Sequence, residues 1–182
     1  MIPAPTTASN ACLPERQLNR NLINRLGTCD FITKKRNILV LGATGAGKTF
    51  LANAIAADAC HDGWRALYVR LPDFFIEYAN AAALHKEFEI LKKYQKVSLL
   101  VLNEVLLIPA DDFQQRILLE LLERRYDRSS TIFCSQFSPE SWYDQLGGSA
   151  TADSILDRIT PNSYTITIHG NVSMRQKLSE ND

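Results

Sequence analysis

The most constraining feature of the sequence is a glycine-rich octapeptide between a short apolar run and a helix-forming segment. It fits the pattern G-x-x-x-x-G-K-[ST] and consists of Gly42, Ala43, Thr44, Gly45, Ala46, Gly47, Lys48 and Thr49. Glycines in such a loop let consecutive backbone N–H groups surround a phosphate, and the amino terminus of the next helix adds a favourable dipole. The pattern predicts that Lys48 reaches the β- and γ-phosphates of ATP and that the Thr49 hydroxyl ligates Mg²⁺.

Short apolar runs alternate with helical patterns along the rest of the chain. We predict strands at 37–41, 65–70, 98–102, 131–135 and 164–168, helices at 14–26, 48–60 and 111–127, and a mostly helical segment at 72–94. The run at 98–102 is wholly apolar, as expected of a strand that is buried on both faces. This alternation predicts an α/β P-loop NTPase fold, with a five-stranded parallel sheet between layers of helices. The helix at 111–127 is expected to bury one side, formed by Phe113, Ile117, Leu118, Leu121 and Leu122.

The 182 residues divide into three predicted segments. Residues 1–36 are interpreted as an N-terminal tail and linker helix, 37–170 as the nucleotide-binding core, and 171–182 as a short C-terminal tail. The first 13 residues are rich in Ala, Thr and Pro without periodicity, which favours a disordered lead-in.

Composition limits the class of protein. Twenty Lys and Arg residues balance twenty Asp and Glu residues, which excludes a histone-like polyanion binder but allows a local basic patch. The N-terminus lacks a secretion signal, and the apolar stretch at 99–110 is too short to span a bilayer. The scattered cysteines Cys12, Cys29, Cys60 and Cys134 favour buried thiols in a reducing compartment over a zinc site. We therefore expect a cytoplasmic protein without a membrane partner.

A second polar element follows the apolar run at 98–102. Asn103 and Glu104 stand where P-loop ATPases usually carry an Asp that holds Mg²⁺ and a Glu that activates water. The Asn103 amide oxygen can still contact a metal-bound water, but it brings no negative charge. Glu104 is interpreted as a general base, with a loop carboxylate of no catalytic role as the alternative.

Several stretches, taken in order, resemble the AAA+ ATPases of the IstB/DnaC kind, which are transposase helpers and helicase loaders. They are NILVLGATGAGKTFLANAIAADAC, LLVLNEV, LLERRYDRSSTIFCSQFSPESWYDQLGG, ADSILDRI and GNVSMRQK, and they span about residues 37–177. The order S-T-I-x-x-S-Q, Trp, I-L-D-R-I and S-M-R-x-K favours the IstB branch. The resemblance implies an AAA+ type core with a strand between the P-loop strand and the strand before Glu104. Little or no C-terminal lid is expected.

The resemblance also implies roles for three further polar residues. Gln136 would sense the γ-phosphate or position water, unless it is simply a polar residue at a strand end. Arg158 would act as an arginine finger toward a neighbouring subunit, and the alternative is an ion pair with Asp157 or Asp153. Arg175 would contact the nucleotide of its own subunit, and the alternative is a charged tail.

The function that the resemblance implies is ATP hydrolysis by a nucleotide-dependent homo-oligomer that acts on DNA with a transposase or a replicative helicase. DNA contacts would be directed to the backbone and independent of sequence. The candidate cations are Arg124, Arg125, Arg128, Lys92, Lys93 and Lys96, and a phosphate-facing patch at residues 16–36 is a further possibility. Two alternatives stay open: a module that binds ATP and assembles without efficient hydrolysis, which Asn103 favours, and a small-molecule kinase.

Overall fold

The computed structural model describes residues 19–169 and contains eight helices and five strands in that range. The helices are α1 (Arg20–Gly27), α2 (Asp30–Thr33), α3 (Lys48–His61), α4 (Leu71–Ala82), α5 (Glu87–Gln95), α6 (Asp112–Arg125), α7 (Pro139–Gln145) and α8 (Ala150–Ile159). The strands are β1 (Asn37–Leu41), β2 (Ala66–Arg70), β3 (Leu99–Asn103), β4 (Ser130–Ser135) and β5 (Ser163–Thr167). All five predicted strands are present, with bounds that differ by at most one residue at either end.

The strands form one parallel sheet in the order β2-β3-β4-β1-β5. Strand β4 lies between β1 and β3, with Val40 opposite Cys134 and Val101 opposite Ile132. This confirms the prediction of a strand between the P-loop strand and the strand before Glu104. Because all strands run the same way, the loops that follow them meet at one edge of the sheet, which we call the carboxyl edge, and the segments that enter them meet at the opposite, amino edge.

Helices cover both faces of the sheet because successive strand residues point to opposite sides. Leu39 and Leu41 contribute to a core with α4, α5, α6, α7 and α8. Ile38 and Val40 contribute to a second core with α1, α2 and α3, in which Leu26 is fully buried. Helices α1 and α2 lie in the segment predicted as a tail and linker, yet their apolar side chains are part of this second core. The boundary at residue 37 stays a prediction.

The segment predicted to be mostly helical at 72–94 contains two helices, α4 and α5, because His85 adopts a left-handed φ of 55° and the Lys86 N–H bonds back to the Ala81 carbonyl. Two predicted details are wrong. Phe113 is 50% exposed, since it lies in the first turn of α6 and contacts the Tyr78 ring rather than the core. Cys60 is exposed, whereas Cys29 and Cys134 are buried, and burial raises the pKa of both buried thiols to about 12.

Some predictions concern residues outside the described range. These are the lead-in at 1–13, the start of the helix predicted at 14–26, Cys12, and the tail at 171–182. Within residues 19–169, no helix is long and apolar enough to cross a membrane.

Candidate nucleotide site

The phosphate loop joins the carboxyl end of β1 to α3. Gly42 has a φ of 152°, and a Cβ at this position would lie 2.7 Å from the Ile168 carbonyl oxygen, so a side chain cannot be accommodated. Gly47 is the N-cap of α3, with a left-handed φ of 96° and no capping side chain. The first N–H groups of α3 therefore point out of the helix end without a side-chain acceptor, as anion binding requires.

Lys48 is held by the loop itself. Its Nζ donates to the carbonyl oxygens of Gly42 at 2.7 Å and Ala43 at 2.9 Å. Burial lowers the pKa of the Lys48 ammonium group. These contacts keep the cation over the loop, where it can exchange carbonyl oxygens for the oxygens of a bound phosphate.

Thr49 and Asn103 form a pair of oxygens beside the loop. The Thr49 hydroxyl donates to Asn103 Oδ1 at 3.3 Å, which connects the first turn of α3 to the end of β3. Asn103 is 6% exposed and also contacts the Tyr68 hydroxyl. Mg²⁺ prefers oxygen ligands, usually keeps several waters, and takes most of its charge balance from substrate phosphates. Two neutral oxygens beside a phosphate loop fit such an ion.

Glu104 follows β3 directly and is bound by an arginine. It has a left-handed φ of 57°, which turns the chain away from the strand direction at the carboxyl edge. One carboxylate oxygen, Oε2, accepts from Arg70 Nε at 2.9 Å and from Arg70 Nη2 at 2.8 Å. Arg70 ends β2, the neighbouring strand, and also pairs with Asp73 at 3.5 Å. Sequence reasoning missed Arg70, although its position at the end of a predicted strand was a usable signal.

Gln136 follows β4 and contacts the phosphate loop. Its Oε1 accepts from the Thr44 hydroxyl at 2.9 Å. The segment before it is fixed by Ser135, whose Oγ donates to the Val105 carbonyl at 2.8 Å and accepts from Trp142 Nε1 at 3.1 Å. Trp142 is the Trp of the motif quoted above, but its part in connecting the Glu104 and Gln136 segments could not be foreseen from spacing.

Arg158 lies away from this cluster. Its carbonyl oxygen accepts from the Asn37 side chain at the amino end of β1, about 13 Å of strand from the phosphate loop. Its guanidinium pairs with Glu123 on α6 and donates to the Ser154 carbonyl, so neither Asp153 nor Asp157 is its partner. Arg158 therefore cannot complete the nucleotide site of its own chain. Arg175 lies outside the described residues.

The six cations predicted to contact DNA have different surroundings. Arg125 is 2% exposed and bonds to protein oxygens, so the prediction that it contacts DNA is wrong. Arg124 pairs with Glu120 and Lys93 with Glu77, while Lys92 lies over the Phe88 ring. Among the six, Lys92, Lys96 and Arg128 are exposed without an ion pair to a described carboxylate.

Comparison with known proteins identifies similar sequences. The profile of the family described as IstB-like ATP binding protein matches residues 10–181. An insertion sequence ATP-binding protein of Sinorhizobium fredii is 36% identical over 161 residues, covering 88% of this chain and 64% of that protein. The insertion sequence IS21 ATP-binding protein of Pseudomonas aeruginosa is 28% identical, covering 84% of this chain and 58% of that protein. The chain thus spans about three-fifths of the length of these curated relatives.

Comparison with solved structures identifies a shared fold. AMPPCP-bound DnaA from Aquifex aeolicus superposes with a TM-score of 0.73 at 21% identity, covering 97% of this chain and 54% of that one. The DnaC helicase loader superposes with a TM-score of 0.74 at 18% identity, covering 90% of this chain and 97% of that one. At these identities the likeness shows the fold alone, which is that of AAA+ P-loop proteins and confirms the predicted fold class.

Proposed function

Since the chain belongs to the IstB-like ATP-binding protein family, we propose that it binds MgATP at the phosphate loop, hydrolyses it, and assists a transposase on DNA. One observation carries the proposal: the loop, the Thr49–Asn103 oxygen pair and the Glu104 carboxylate converge at the carboxyl edge of one sheet. Such a cluster combines phosphate binding, a metal position and a base, which are the parts that ATP hydrolysis needs. A cytoplasmic location follows from this proposal.

The chain's own residues divide the work as follows. Lys48 would exchange its bonds to loop carbonyls for β- and γ-phosphate oxygens, and the Thr49 hydroxyl and the Asn103 amide oxygen would hold Mg²⁺. The ion supplies neutralisation of phosphate charge when it is bound. Glu104, released from Arg70, orients the attacking water and accepts its proton, while the Gln136 amide aligns the same water.

In this proposal a second protomer supplies the cation that neutralises the remaining charge on the γ-phosphate. We assign Arg158 to a neighbouring subunit's nucleotide because it lies far from its own, and Arg175 to the nucleotide of its own subunit on the basis of resemblance. Hydrolysis would then require a homo-oligomer that assembles on nucleotide. A transposase is the favoured partner because both similar sequences named above belong to insertion sequences. A replicative helicase is the other partner that this fold accommodates.

A second candidate function is ATP binding and assembly without efficient turnover. Two observations favour it: Asn103 brings no charge to the metal position, and Glu104 Oε2 is occupied by two N–H donors of Arg70. In that case the bound nucleotide stabilises the assembly as a ligand and is not hydrolysed as a substrate.

Steady-state phosphate release with saturating MgATP and duplex DNA separates the two functions. If the chain is an ATPase, Glu104→Gln lowers kcat by at least about 100-fold while nucleotide affinity is kept, because the base is lost but the loop is not. Lys48→Ala should abolish nucleotide binding as well. Glu89→Gln, an exposed carboxylate on α5, is the matched control and should behave as wild type.

The outcomes are distinct. Wild-type turnover no higher than that of Glu104→Gln would refute hydrolysis and support the binding module, provided that ATP binding remains sensitive to Lys48→Ala. Retained nucleotide binding in Lys48→Ala would refute the site itself. The variant Arg70→Met gives a further comparison, because it removes the two N–H donors that bind Glu104. It should raise the turnover of an ATPase, whereas a pure binding module should stay inactive.

A further inference from the structure

A row of cations follows the amino edge of the sheet, opposite the nucleotide site. Each lies in the segment that enters a strand: Arg36 directly before β1, Arg65 directly before β2, Lys96 three residues before β3, and Arg128 two residues before β4. Because the strands are parallel, the topology brings these four residues to one edge although they are distant in sequence. We call this set the basic rim.

The rim cations are exposed and have no ionic partner among the carboxylates of residues 19–169. Elsewhere in that range, five cations are paired with carboxylates, in Lys34–Asp30, Arg70–Glu104, Lys93–Glu77, Arg124–Glu120 and Arg158–Glu123, whereas Lys86, Lys92 and Arg116 are exposed without an ion pair. What distinguishes the rim cations is that the topology places them along one edge of the sheet. A chain with zero net charge therefore has a strip with an excess of positive charge at this edge.

At the β5 end of the rim, two guanidinium groups share one aromatic ring. The Cζ atoms of Arg36 and Arg25 lie 5.3 Å and 5.4 Å from the centre of the Tyr164 ring. Tyr164 stabilises both cations through its π face, but the two positive charges still repel each other. An anion bound beside them would relieve this repulsion.

The geometry of the rim matches an extended polyanion rather than a single phosphate. Neighbouring strands are about 4.8 Å apart, so the three steps from β2 to β1 extend the rim over about 14 Å. A DNA strand carries one phosphate per about 3.4 Å of helix axis, so this length corresponds to about four phosphates. The same segments contain only two carboxylates, Asp62 and Asp127.

We propose that the basic rim binds the sugar–phosphate backbone of DNA, independently of sequence, at the edge opposite the nucleotide. The inference deepens the proposed action on DNA and rests on that part of the proposed function, but not on ATP hydrolysis. The proposal separates the cations that the sequence suggested as DNA contacts. Arg128 and Lys96 belong to the rim, whereas Lys92 and Arg124 lie beside the Phe88 ring.

The test compares two triple variants of the full chain that lose the same charge. The rim variant carries Arg36→Gln, Lys96→Gln and Arg128→Gln. The control variant carries Lys86→Gln, Lys92→Gln and Arg116→Gln, all exposed and located on α5, α6 or just before α5. Fluorescence anisotropy with a labelled 30-base-pair duplex is recorded between 50 and 200 mM salt, and MgATP affinity is measured in parallel.

The rim variant should lose three phosphate contacts. Its DNA affinity at 50 mM salt should therefore fall by at least about tenfold. The slope of log affinity against log salt should then become shallower by about 2.7, so that the affinity change from 50 to 200 mM shrinks by about 40-fold. The control variant should stay within about threefold of wild type, and both variants should bind MgATP as wild type does.

Equal losses in the two variants would overturn the proposal, because they would reflect net charge alone. A rim variant that binds DNA with wild-type affinity would refute the role of the rim, and DNA binding would then have to use another surface. A wild type that fails to bind DNA would overturn both the rim and the DNA part of the proposed function, while ATP binding stands or falls separately. If the wild type binds phosphatidylserine vesicles but not DNA, and the rim variant loses the vesicle binding, the rim would be assigned to a membrane surface, against the proposal.

Discussion

Asn103 is the residue that the proposed function places beside the metal ion. Its amide oxygen lies 3.3 Å from the Thr49 hydroxyl, and the residue is 6% exposed, in the position where a carboxylate would add negative charge. A neutral oxygen avoids a buried, unpaired anion when no ion is present, because burying such a charge is costly. We therefore expect Asn103 to give a weaker Mg²⁺ site and a more stable nucleotide-free state than an Asp at this position would give.

Asn103→Asp should reverse that balance. With ATP present, the added carboxylate should lower the Mg²⁺ concentration needed for half-maximal nucleotide binding by about tenfold, the size of effect seen for partners of metal ligands. Without Mg²⁺ and nucleotide, the buried carboxylate should lower the free energy of unfolding by about 1–3 kcal/mol. Titration of Mg²⁺ against a fluorescent ATP analogue, with urea denaturation, measures both. An unchanged Mg²⁺ requirement would remove Asn103 from the metal position.

Arg125 shows how a cation can belong to an element rather than to a surface. It ends α6 and donates from Nη1 to the carbonyls of Tyr94 at 2.6 Å and Val97 at 3.0 Å, and from Nε to the Thr131 hydroxyl at 3.0 Å. It also donates to the Ser130 carbonyl. A single guanidinium therefore joins the end of α5, the end of α6 and the start of β4, although burial lowers its pKa.

Arg125→Met should be strongly destabilising because it leaves several buried carbonyl oxygens without a donor. We expect a loss of about 2–4 kcal/mol in the free energy of unfolding, measured by urea denaturation. Arg124→Met, the neighbouring residue with a partly exposed ion pair to Glu120, is the control and should cost at most about 1 kcal/mol. Equal effects of the two substitutions would contradict the role assigned to Arg125.

The elements differ in how well the sequence predicts them. Strands such as β3 and β4 are predictable because a strand buried on both faces is a continuous apolar run. The short helices α2 and α7 were not predicted, since four and seven residues are too few to show a helical period. The phosphate loop was identified from its glycines. The Arg70–Glu104 contact and the burial of Arg125 were not, because both depend on which strands and helices become neighbours.

At the scale of the assembly, the position of Arg158 makes a prediction about mixtures. Arg158→Ala should lack hydrolysis because its neighbours receive no arginine, and Glu104→Gln should lack it because its own base is missing. If Arg158 acts between subunits, mixing the two inactive proteins should restore phosphate release, since the Glu104→Gln protomers bring an intact Arg158 to sites that keep Glu104. A mixture as inactive as its components would contradict this role. A mixture of Glu104→Gln with Lys48→Ala, which has no competent site, is the control.

The parallel sheet of this protein makes two surfaces that are interleaved along the chain but separate in space. Each of the strands β1 to β4 has a segment of the basic rim at its amino end and a segment of the candidate nucleotide site at its carboxyl end, so the two sets of segments alternate in sequence. A strand that is hydrogen-bonded to its neighbours separates each segment at one edge from the other edge, so a substitution at one edge does not contact the other. The two edges can therefore change independently: a lineage could alter what the amino edge binds without retuning the chemistry at the carboxyl edge, and an engineer could do the same.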